Sequence, residues 1–146
     1  MRTSQVEADG HPLRQWVFHS VATEAGPVAV ASGVTASPGT TILALPAITV
    51  EANRYIWLQC VCGVYNTDTG ANLVIPQLYN LTTGAALYLA APYRNTANQE
   101  IPVPLQAVVA QTVAAGATVY ALTCYHSAAY AAAVVRVSII VHTCRS

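Results

Sequence analysis

The segment YIWLQCVCGVY, Tyr55–Tyr65, constrains this chain more than any other. Successive residues of a strand point to opposite sides. One side would carry Tyr55, Trp57, Gln59, Val61 and Tyr65, and the other Ile56, Leu58, Cys60, Cys62 and Val64. Both sides are apolar. An antiparallel sheet normally turns one polar face to water, so a strand of this kind needs a cover on each side. The run is much shorter than the ~18 apolar residues of a spanning helix, and Thr, Asn, Gln, Pro and Gly break every other apolar stretch before that length. A small outer-membrane barrel shares the alternation, but it needs one lipid face and one filled interior, a poor description of strands apolar on both faces.

The rest of the text also reads as strands and turns. Val28–Ser32 alternates, Ser37-Pro38-Gly39 is a turn signal, and Thr41–Val50, interrupted by Pro46, is an edge strand or two short strands. Asn66–Gly70 is rich in turn formers. Strands follow over Leu73–Tyr79 and Ala85–Ala90, separated by the turn Leu81–Gly84. Pro92–Gln99 reads as polar loop, and Ile101–Val109 as a strand despite Pro102 and Pro104. Ala114–Gly116 reads as a turn into a strand over Ala117–His126, and Tyr130–Thr143 as the last long strand, with Val135, Val137, Ile139 and Val141 on one face. Gln106–Ala115 and Ala128–Ala133 are Ala-rich enough for a helical turn, although Val108, Val109 and Val113 favour strand. About eight short, regularly spaced strands predict an all-β sandwich or barrel.

Composition says what surrounds such a fold. The chain has 146 residues, one domain's worth, of which 54% are hydrophobic and only 8% charged. Ordinary soluble domains are about 25% charged, so this chain is short of material for a wet surface, and further copies of itself are the economical cover. The formal net charge is zero and every basic residue is Arg. No basic patch or aromatic-plus-Arg stripe suggests nucleic-acid binding. Arg2, Glu7, Asp9, Arg14 and Glu24 crowd the first 24 residues. Residues 1–15 therefore read as an exposed arm, with Arg2, Arg14 and Trp16 as candidate contacts to a neighbouring subunit, and residues 16–146 as the domain. The N-terminus has no apolar core of the kind a secretory signal carries, so the glycosylation pattern Asn80-Leu81-Thr82 is read as chance.

Four segments in order, ITVEANRYIWLQCVCGVY, NLVIPQLYNLTTGAAL, VVAQTVAAGATVYALTCYHS and AYAAAVVRVSIIVH, resemble the layout of the tumour-necrosis-factor-like and complement-head-like jelly roll over Val28–Val141. They are also similar to small trimeric virion proteins that decorate tailed-phage capsids. The resemblance implies a jelly-roll sandwich and a homotrimer, with Tyr120, Leu122 and Tyr125 at the subunit interface. The lack of a signal turns the comparison from secreted cytokines towards a virion protein made in a host cytoplasm, with the arm gripping the major capsid protein or other virion subunits.

Residues that could carry chemistry do not assemble into a motif. Cys60 and Cys62 share a strand face, with Cys124 and Cys144 later. They read as small buried hydrophobes, as a zinc site with His126 or His142, or as disulfides, Cys124 with Cys144 being the pair to test first. Knuckle-type ligand spacing is missing, so no metal or other cofactor is expected. The remaining histidines, His11 and His19, stand in no hydrolase motif. Within the domain the carboxylates are Glu51, Asp68 and Glu100, and Asp68 has the look of a turn cap. No enzymatic activity is expected. Eight tyrosines, including Tyr65, Tyr79, Tyr88, Tyr93 and Tyr125, suit strand packing, or a sugar- or receptor-binding surface. The loops Asn66–Asn72 and Tyr93–Gln99 are the best outward sites, with Asn66, Asp68, Tyr93 and Asn95 as candidates. The expected function is structural, a trimeric decoration or cement protein of a phage head. The alternatives are a receptor- or carbohydrate-binding head of a phage fibre, with a surface glycan as partner, and a secreted trimeric signalling ligand.

Overall fold

The computed structural model describes residues 17–24, 27–31, 36–66, 72–89, 93–95, 100–111, 115–126 and 132–145. Among them are twelve strands and no helix. The arm, with Arg2, Arg14 and Trp16, lies outside the described residues.

Every strand pairing is antiparallel. The first sheet runs β1 (Val17–Glu24), β12 (Ala132–Arg145), β5 (Arg54–Asn66), β9 (Glu100–Gln111), with β2 (Val28–Val30) also paired to β12. The second runs β3 (Thr40–Ala44), β11 (Tyr120–His126), β6 (Asn72–Asn80), β7 (Ala85–Leu89), with β8 (Tyr93–Asn95) also paired to β6. A two-stranded ribbon joins β10 (Ala115–Thr118) to β4 (Ile48–Val50). The core lies between the two larger sheets. From the first come Ile56, Leu58, Cys60, Cys62 and Val64 of β5, Val103, Leu105 and Ala107 of β9, and Val137, Ile139 and Val141 of β12. From the second come Leu78, Tyr120, Leu122 and Cys124. The inward side of β5 is the one expected from alternation.

Prolines sit where a missing N–H takes nothing from a ladder. Pro46 separates β3 from β4, so Thr41–Val50 is two short strands. Pro102 and Pro104 lie on β9, an edge strand. Pro76 pairs with Cys124 on one side, and on its other side it falls between the stretches of β6 that pair with β7 and β8.

Three expectations change. The segment 93–95, read as loop, is a strand against Asn72–Val74. Ala115 and Gly116, read as a turn, begin β10, and the break before β11 falls at Val119. The turn at 81–84 produces that break: Val119 N donates to Thr82 Oγ1 at 2.9 Å, and its carbonyl accepts from Leu81 N at 2.9 Å. Asn80 shapes the same turn, its Oδ1 accepting from the amides of Thr82 and Thr83 at 3.0 and 3.1 Å, an Asx turn. The glycosylation-like triplet therefore has a structural use. The first strand, β1, carries no strong alternation and was legible only as part of the domain that begins at residue 16.

Candidate assembly surface

The two sheets treat their outer faces differently. On the second sheet the chain covers itself. Ala121 and Thr123 point away from the core yet are fully buried. Gln77, opposite Thr123, is itself buried, and its Nε2 donates to Ser37 Oγ at 3.0 Å and to the Pro38 carbonyl at 2.8 Å. Tyr79, opposite Ala121, donates its hydroxyl to the Gly84 carbonyl at 2.8 Å. The segment 36–39 and these two side chains thus roof the sheet.

The first sheet has no such roof among the described residues. Its outer face is read directly from the register. Ser138, Val61 and Pro104 stand in one row, Ile140, Gln59 and Gln106 in the next, and His142, Trp57 and Val108 in the third. A fourth row adds Tyr55 and Ala110. Val61 is 54% exposed and Val108 61%, and on one face with Trp57 and Pro104 they form a patch, which a single exposed apolar residue does not. Trp57 and His142 lie ring against ring, centroids 5.6 Å apart. Two hollows flank the Gln59–Gln106 pair: one of about 420 Å³ among Trp57, Gln106, Ala107 and Val108, and one of about 310 Å³ reaching Val61, Pro104 and Tyr88, where β7 comes alongside β9. No Asp, Glu, Lys or Arg stands in these rows. Charge gathers at the ends: the Glu51–Arg54 ion pair at one and Glu100, whose side chain lies over Gly63, at the other.

The candidates from sequence are distributed otherwise. Tyr120 is 2% and Leu122 0% exposed in the single chain, so both belong to the chain's own core and offer nothing to a second copy. Strand parity is the reason: Tyr120 and Leu122 share the inward side of β11, whereas Tyr125 has the opposite parity and remains half-buried beside Gly39. Asn66 ends β5 opposite Ala132, and Tyr93 and Asn95 pair with Val74 and Asn72, so all three have backbones in ladders and not in free loops. Asp68 lies outside the described residues. What sequence reasoning missed is Val108 and Pro104. The signal was there, since the even-numbered positions of Ile101–Val109 are Pro102, Pro104, Gln106 and Val108, with no charge among them.

The thiols of Cys60, Cys62 and Cys124 are free and buried. A hydrogen bond with Cys62 and then burial push Cys60 well above the ordinary thiol range; burial and then the field of Cys62 do the same to Cys124. They are poor nucleophiles and poor metal ligands in this state. Among the described residues no group of three or more His, Cys, Asp or Glu is placed to hold a metal ion. The pairing of Cys124 with Cys144 is not made, since Cys124 is a free thiol.

No family model matches the chain, and neither does any curated protein sequence. Solved structures do match its fold. The VP2 subviral particle of infectious bursal disease virus superposes with a TM-score of 0.53 at 15% identity, over 88% of this chain and 33% of that one. The Gx strain of the same virus gives 0.50 at 14%, over 99% and 41%. A VP2 variant in derived T=1 particles gives 0.51 at 13%, over 86% and 35%. At these identities the likeness is one of fold, and this chain spans about a third of the length of the chains it matches. None of the three is a cytokine, a complement head or a phage protein. The shared fold is an antiparallel β-sandwich.

Proposed function

We propose that the chain is a non-enzymatic structural subunit of a virus particle, working by assembly with copies of itself and with other shell proteins. The observation that carries the reading is the outer face of β12, β5 and β9, over which no described segment lies and whose paired rows hold no Asp, Glu, Lys or Arg. An apolar surface of that extent on a soluble protein marks an interaction site. The fold likeness to VP2 supports the virus setting by analogy, since fold alone does not give function. The strand order β1-β12-β5-β9 over β3-β11-β6-β7 supports the jelly-roll form of the sandwich. Within this reading the chain is a homotrimer that decorates a phage head, its arm at residues 1–15 gripping the major capsid protein.

Purified particles test it. The protein should bind capsids and raise their resistance to heat, and deletion of residues 1–15 should weaken binding. If the deletion changes nothing while Tyr93→Ala or Asn66→Ala abolishes attachment to cell-surface glycan, the decoration role is wrong and the chain is a receptor-binding head.

A further inference from the structure

We propose that the outer face of the β1-β12-β5-β9 sheet, centred on Val61, Trp57 and Val108, is the surface on which a second copy of this chain packs; the proposal rests on the assembly reading above. Three observations choose this occupant. The first is charge. The paired rows across β12, β5 and β9 contain no Asp, Glu, Lys or Arg; the Glu51–Arg54 pair and Glu100 stand at their ends, and Arg136 falls at the β12 bulge between Val135 and Ser138. A phosphate backbone, a lipid headgroup or an acidic peptide would find no counter-charge there, whereas a copy of the same neutral face leaves no charge buried and unpaired. An apolar middle with a polar rim is also the anatomy of protein interfaces.

The second observation is extent. Nine residues of β9, Pro102–Ala110, extend about 30 Å at ~3.4 Å per residue. Three to four strands at ~4.8 Å spacing make the face roughly 15–19 Å wide, or about 500 Å² in projection. Side chains standing off the sheet raise the accessible area towards the ~800 Å² per partner of a stable interface.

The third is relief. Val61 and Val108 stand proud beside the two hollows, and the opposed amides of Gln59 and Gln106 lie between them. A flat greasy patch would accept many registers. Amides in the middle need donors and acceptors when water leaves, and around a three-fold axis the Gln59 and Gln106 amides of the adjoining copies supply both, which fixes one register.

Sedimentation of the full chain at micromolar concentration tests the assignment. Wild type should associate. Val61→Arg and Val108→Arg should each weaken self-association by roughly a hundredfold or more, because each places a charge at the centre of the buried patch. Leu81→Arg, at an exposed apolar position on the turn before β7, should leave association unchanged. If an Arg variant fails to fold by circular dichroism, Val61→Thr and Val108→Thr replace it and should weaken association about tenfold. A second readout is Trp57 emission in a Trp16→Phe background, which should shift to the red on dilution. Wild type that associates, together with Val61 and Val108 variants that associate equally well, overturns the assignment of this face and leaves the assembly reading standing. Wild type that sediments as a lone protomer overturns both.

Discussion

Gly39 offers the sharpest test of how the chain roofs its own second sheet. Its φ is +78°, a region that costs an L-residue about 1–2 kcal/mol. A Cβ there would strike the Cys124 carbonyl oxygen, stand 2.7 Å from its carbon and 2.9 Å from Tyr125 Cβ. Neither neighbour is the loose end of a flexible side chain: one is ladder backbone opposite Thr40, the other the root of a half-buried tyrosine. Overpacking of this kind adds about 1–3 kcal/mol, so Gly39→Ala should lose about 2–5 kcal/mol. Gly84 is the control, with φ of +71° but no atom nearer than Tyr79 Oη at 4.0 Å; Gly84→Ala should lose only the conformational part, about 1–2 kcal/mol. Gly116 has open space and an ordinary φ, so Gly116→Ala should gain about 0.4–1 kcal/mol. Urea unfolding under dilute conditions reads all three, and at a slope of about 2 kcal/mol per molar the Gly39 variant should shift the midpoint by about 1–2.5 molar. Equal losses for Gly39→Ala and Gly84→Ala would show that segment 36–39 is not seated against β11, and the roof would have to be abandoned.

Two further outcomes follow from the buried groups. Leu122→Ala should cost about 2–5 kcal/mol at every protein concentration, as a core truncation does; a variant that unfolds normally when dilute but no longer associates would return Leu122 to an interface. Stability should fall at alkaline pH, because Cys60 and Cys124 have folded-state values raised above the ordinary 9.0. Their contribution is complete below that value and is lost above it at about 1.4 kcal/mol per pH unit for each thiol, until unfolding itself exposes them. A urea midpoint unchanged between pH 8 and pH 10.5, or one that falls equally in Cys60→Ala/Cys124→Ala, contradicts the burial of these thiols.

The long strands were legible because their periodicity is carried by many residues at once. Alternation placed Ile56, Leu58, Cys60, Cys62 and Val64 on one side of β5 and Val137, Ile139 and Val141 on one side of β12, as they are found. Short elements were less legible because distant contacts decide them. The break at Val119 depends on Thr82, 37 residues away, and β8 exists because β6 has an open side beside Asn72–Val74. The interface candidates failed for a different reason. Tyr120 and Leu122 came from a layout resemblance, and a layout says which strand lies where without saying which parity of that strand turns inward.

That parity question also explains why a chain with so little charge is sparing with exposed grease. Residues apolar on both sides of a strand have two physical fates. On β11 the chain supplies the cover itself: the outward side chains of Ala121 and Thr123 are small, and Gln77, Tyr79 and segment 36–39 lie close over them. On β5 the outward side chains are Trp57, Gln59 and Val61, and among the described residues no segment of the chain lies over them. Burying Val61 and Val108 at about 25 cal/mol per Å² is worth having only when a second body arrives. The difference between the two sheets is thus that segment 36–39 lies across the outward side of β11 and β6, while no described segment lies across that of β5 and β9.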